Sequence, residues 1–156
     1  MLNDISSILL NRYERTRDMD DLEKAISKGK SAVSVTPENH PDRVVRLGSL
    51  ENKLFRRHER AGNMDDLEEA ISKADLAASI APENNLDRAA MLSNLGFLLF
   101  RRSKRTGNMC DLEAVISNAE LAVSITPEDH PDRAARLSNL SIMMLSRHER
   151  EGNGRS

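Results

Sequence analysis

The chain has 156 residues, 38% apolar and 31% charged, with a formal net charge of −2 at pH 7, a mixture that suits one globular domain. Its near-neutral charge excludes a global pull toward nucleic acid or anionic lipid, and its single cysteine excludes a disulfide framework or a cysteine-cluster zinc site. With 3% aromatics and no Trp it lacks the rings for a base-stacking surface, and no apolar run reaches the roughly 18 residues of a membrane span.

The opening MLNDISSILL carries an early Asp and no basic flank. A secretory leader is therefore not expected, and the default compartment is the cytoplasm. Apolar spacings of three and four predict helices at 2–16, 20–35, 41–60, 65–80, 87–105, 110–125 and 131–150. The face of the third is Val44, Leu47, Leu50, Leu54 and Phe55; that of the fourth is Leu67, Ala70, Ile71, Ala74, Ala77, Ala78 and Ile80. His40-Pro41-Asp42 reads as a start, because Pro fits the first helical position and Asp complements the positive helix end. Ala61-Gly62-Asn63 reads as a stop. Asp65 and Glu68, like Asp20 and Glu23, have capping-box spacing. In the sixth helix Cys110 stands where the capping Asp is expected, which predicts a start weaker by about 1 kcal/mol. Pro82 ends the fourth helix, and residues 151–156 are expected to fray.

These elements repeat. Asp21-Leu22-Glu23 recurs at Asp66 and Asp111, and Pro37, Pro82 and Pro127 keep the same step of 45 residues. Residues 43–87 align on 88–132 without a gap and with 24 identities. The expected units are about 1–42, 43–87, 88–132 and a partial 133–150, together one helical array of three helix pairs and one extra helix. A single pair cannot bury its apolar stripe; stacked pairs bury it against their neighbours. The first helix (Leu2, Ile5, Ile8, Leu9) and the last (Leu137, Leu140, Met143, Met144, Leu145) lack a polar outer face. This predicts a piece of a longer array, or end-to-end self-association.

The unit resembles a tetratricopeptide repeat. Leu95-Gly96 with Leu99 matches the first helix of that family, and Ala70, Ala74, Ala77 and Pro82 match the second. Ala25, Gly29, Ala32 and Pro37, and Val115, Ala119, Ala122 and Pro127, keep the latter spacing. The unit departs from the family in length, 45 residues against about 34, and Leu-Gly stands at the family position in one copy, where others have Leu50-Glu51 and Leu140-Ser141. The wording DHPDRAARLSNL, RHEREGN and NMDDLEEAI is similar to long arrays of filamentous fungi that accompany caspase-like CHAT or nucleotide-binding signalling domains. The resemblance implies an all-α fold, a right-handed α-α superhelix, and a non-catalytic scaffold for protein–protein interaction. It also implies an alternative, a regulatory or sensor segment whose effector domain is not in this chain.

By register with the family, the concave groove carries Asn52 and Arg56 in the second copy, Asn94, Phe97 and Arg101 in the third, and Asn139 and Ile142 in the fourth. Asn can pair with the backbone of a bound peptide, and Arg can grip a carboxylate by two parallel bonds. The plainer reading makes these residues the solvated face of long helices. The family's dicarboxylate clamp needs groove lysines, and those positions hold Asn3, Gly48, Ser93 and Ser138. A basic stripe, Arg56-Arg57-Arg60 and Arg101-Arg102, precedes acidic helix starts; it reads as helix-end electrostatics and surface ion pairs under about 1 kcal/mol each. His40 and His130 read as turn residues, His58 and His148 as exposed helix-end residues, with no spacing to grip a metal from one helix. No cofactor, metal or catalytic constellation is expected; the expected partner is a protein or peptide, with neither nucleic acid nor membrane involved.

Overall fold

The computed structural model describes residues 2–83 and 85–154. Among them are seven helices and no strand: α1 (Leu2–Thr16), α2 (Met19–Ser34), α3 (Arg43–Ala61), α4 (Met64–Ile80), α5 (Leu86–Thr106), α6 (Met109–Ile125) and α7 (Arg133–Asn153). The all-α repeat expected from the sequence is therefore present, with each helix within three residues of its expected ends. The last helix runs on through Glu151, Gly152 and Asn153, into the stretch expected to fray; Arg155 and Ser156 lie outside the described residues. No helix among the described residues is long and apolar enough to cross a membrane.

The chain divides into two compact units, Met1–Ile80 and Ala81–Ser156. In the first, α1 packs on α2, α2 on α3 and α3 on α4. In the second, α5 packs on α6 and α6 on α7. The second-type helices α2, α4 and α6 supply the same residues to each core: Leu22, Leu67 and Leu112 are 0% exposed, and Ala25, Ala70 and Val115 likewise. Small side chains at these positions let the helices approach closely. A Cβ at Gly29 would meet Leu50 Cδ1 and Ser6 Oγ at 3.4 Å, and Ser6 buries its hydroxyl by donating to the Ala25 carbonyl at 2.6 Å.

The hairpin between the helices of a pair is short because a left-handed residue ends the first helix. Gly62 (φ 75°) and Gly107 (φ 74°) fill this position, and their N–H groups donate to the His58 and Ser103 carbonyls at 2.7 Å. In the first copy Arg17 (φ 59°) does the same at the steric cost of a Cβ. The chain then enters the next helix through a cap two residues earlier than the sequence suggests. Asp18, Asn63 and Asn108 accept from the N–H of Asp20, Asp65 and Cys110 at 3.0, 2.8 and 2.9 Å. Cys110 therefore replaces no cap, and the weak start expected of α6 is overturned. Asn108→Ala is expected to cost about 1 kcal/mol, and Cys110→Ala under about 0.5 kcal/mol, read from urea unfolding midpoints.

The longer connections between pairs are also built by side chains. Pro41 and Pro131 do not open a helix. They sit in turns where His40 and His130 Nδ1 accept from the N–H of Asp42 and Asp132 at 3.1 Å. Arg43 then caps the end of α2, donating to the Thr36 carbonyl at 2.8 Å, while Arg46 reaches the Thr36 hydroxyl at 2.5 Å. Arg133 and Arg136 repeat this on Thr126 at the end of α6. After α4 the corresponding residues are Ala81 and Met91.

Candidate functional site

The first-type helices place the expected groove residues on exposed or half-buried faces. In the first unit Asn52 is exposed on α3, and Arg56, half-buried, already pairs with Glu14 of α1 at 3.4 Å. In the second unit Phe97 of α5 is 43% exposed, and the Arg101 guanidinium lies 5.9 Å from its ring centre. That is one helical turn away and within cation–π range. Asn94 is half-buried one turn earlier, and Asn139 is exposed on α7. Asn139 lines a small recess with Ser93, Ala119, Arg136 and Met143, so α5, α6 and α7 meet beside it. Ile142 is 56% exposed on α7. Within the second unit α5 thus carries an aromatic ring, a cation and an amide, and α7 an amide and an aliphatic side chain. An open cleft of about 220 Å³ in the first unit, lined by Leu2, Asn3, Ala32, Val35 and Arg46, was not anticipated from the sequence.

The basic stripe is more deeply engaged than surface pairs. Arg12, Arg57 and Arg102 each grip an aspartate nine residues on, across the hairpin: Asp21, Asp66 and Asp111. Arg57 holds Asp66 by Nε and Nη2 at distances down to 2.7 Å, and the Asp66 side chain is only 6% exposed. Such two-pronged pairs are charge-assisted and directional. The Arg12 guanidinium, by hydrogen bonding, holds the Asp21 carboxyl below the usual carboxylate range. Arg57 also reaches back to Glu23 of α2 at 2.7 Å, so one guanidinium ties α2, α3 and α4 together. The missed signal was the constant nine-residue separation in the first three copies.

Two buried charges on α3 were also missed. Lys53 is 1% exposed where its 45-residue equivalents are Ile8, Leu98 and Met143. Its Nζ donates to the Ser49 hydroxyl at 2.5 Å, and burial lowers its pKa. Glu51 is 5% exposed, and burial raises its carboxyl to about 7. Neither position carries a ligand-binding pattern.

The histidines separate. His58 is 3% exposed, so it is not the exposed helix-end residue expected. Its Nδ1–H donates to the Asn63 carbonyl at 2.8 Å, inside the hairpin. His148 is exposed. Among the described residues no three His, Cys, Asp or Glu side chains gather as a metal site. Cys110 is exposed.

Residues 1–42 match the family model of the tetratricopeptide repeat, which supports a repeat of that type in the first copy. No curated protein matches the chain.

Proposed function

We propose that the chain is a non-catalytic scaffold for protein–protein interaction that binds a peptide or helix along the wall of its first-type helices. A tetratricopeptide-type repeat supports protein–protein interaction in general. The observation that carries the finer reading is Phe97, 43% exposed beneath Arg101. A rigid ring and a cation at one spot combine apolar area with charge recognition, the chemistry enriched at binding hot spots. Asn94 and Asn139 supply donors and acceptors for a ligand backbone, and Ile142 a second apolar contact. In the first unit, Asn52 and Arg56 of α3 offer an amide and a cation of the same kind.

Selection of a random peptide display library against the full chain tests this. The best peptides, titrated by calorimetry, are expected to lose roughly tenfold or more in affinity when Phe97 and Asn94 are both changed to Ala, with the helical circular dichroism unchanged. Peptides that bind the variant as tightly as the wild type would remove this face from consideration.

A further inference from the structure

The first-type helices α1, α3, α5 and α7 align in sequence at steps of 45 residues, and one position reports the side turned to the helix that follows. Tyr13, His58 and Ser103 occupy it at 2, 3 and 0% exposure, each in a helix followed by its own second-type partner. In α7 the same position is His148, which is exposed. Leu54 (0%) and Leu99 (8%) correspond to Met144 at 40%, and Leu47 (0%) and Leu92 (5%) to Leu137 at 43%. Leu145, beside Met144, is 57% exposed, whereas its equivalent Phe55 is 9%. The other side of α7, with Met143 at 6%, packs on α6.

The arginine ladder shows the same asymmetry. Arg57 makes two pairs, backward to Glu23 of α2 and forward to Asp66 of α4. Arg147 makes the backward pair, to Glu113 of α6 at 3.2 Å. Its forward counterpart would fall at position 156, where the sequence has Ser. The guanidinium is thus held by its backward half, and the residue type at the forward position is Ser where the other copies have Asp.

We propose that this side of α7 docks an acidic-led amphipathic helix of the kind that α2, α4 and α6 represent. Those three helices share Asp at their third residue, Leu at the fourth, and small or β-branched side chains at the seventh, eleventh and fourteenth. The Asp meets Arg147, the Leu enters beside Met144 and Leu145, and the small side chains let the backbone lie close over Leu137. A helix led by a basic or neutral residue forgoes the pair with Arg147.

The probe is a labelled synthetic peptide of residues 63–82 of this chain, titrated against the full chain by fluorescence anisotropy. Saturable binding is expected, weakened roughly tenfold or more by Asp66→Asn in the peptide or Arg147→Ala in the chain. The two changes together are expected to cost little more than either alone, as for groups in one contact. Leu145→Asp is expected to abolish binding while leaving the circular dichroism unchanged. Three results would overturn the proposal. One is no binding at millimolar peptide. A second is binding indifferent to Arg147→Ala and Leu145→Asp, as when the peptide displaces α4. The third is a chain that sediments as a dimer without peptide and becomes monomeric on Leu145→Asp, which gives the surface to a second copy.

Discussion

Replacing Glu51 by Gln is expected to stabilise the chain by roughly 3 kcal/mol at pH 8 and by almost nothing at pH 4.5. Glu51 is 5% exposed on α3, and burial raises its carboxyl from the usual 4.5 to about 7. Below pH 4.5 the folded and unfolded chains both hold the proton. Between pH 4.5 and 7 the unfolded chain releases it while the folded chain keeps it. The folded state then binds more protons, so stability falls as pH rises across that window and levels off above it. Glutamine preserves the shape of the protonated acid without the ionisation, so the difference between variant and wild type should grow across the same window. Lys53 contributes the opposite slope, its stability cost shrinking as pH approaches the ordinary lysine range, but it is present in both chains and cancels in the comparison. Urea unfolding at pH 4.5, 6 and 8 is the measurement. A difference independent of pH would show that Glu51 is already ionised in the folded chain.

The second large effect is expected at Arg57. Arg57→Ala removes a guanidinium that serves two carboxylates and leaves Asp66, 6% exposed, without its cation. Breaking a buried pair from one side typically costs about 3–5 kcal/mol, because the remaining charge stays desolvated. Arg56→Ala, one residue away, removes a pair whose two side chains are 39 and 40% exposed, and should cost under about 1 kcal/mol. Arg57→Lys should recover only part of the loss, since an ammonium cannot present the planar fork that Asp66 accepts. The three variants compared by urea unfolding at pH 7 test the ranking. Equal losses for Arg56→Ala and Arg57→Ala would place the Arg57 pair among ordinary surface contacts.

The helices were legible because each is written three times. Apolar spacing and Pro37, Pro82 and Pro127 mark the same boundaries in three copies, Gly62 and Gly107 add a second mark in two of them, and chance patterns do not recur at a fixed step. The caps were misread because Asn63 and Asp65 are both competent acceptors two residues apart. Only the turn decides between them: in the next copy the left-handed Gly107 is followed by Asn108 in extended backbone, and Asn63, after Gly62, makes the same bond. The Arg57–Asp66 pair was underrated for a different reason. Its two residues flank a hairpin, and sequence spacing gives their proximity but not the depth at which Asp66 is buried. Lys53 and Glu51 escaped notice because charged residues are ordinarily assigned to the solvent side. Comparison with Leu98 and Gly96, their equivalents one copy later, would have marked both as sitting where an uncharged residue belongs. The groove residues are the least legible. Their register is plain, yet the sequence does not report that Arg56 is already occupied by Glu14 or that Arg101 lies over Phe97.

The double pairing of Arg57 also fixes what a viable change in length looks like. Because one arginine is shared between the helix before it and the helix after it, a cut between Glu23 and Asp66 parts Arg57 from at least one of its two carboxylates. Removal or insertion of a whole 45-residue copy keeps the order Glu, Arg, Asp at the same spacing, as in Glu68, Arg102 and Asp111. An array of this kind can therefore grow or shrink by duplication and deletion in whole units while the Glu, Arg, Asp order is kept along the sequence.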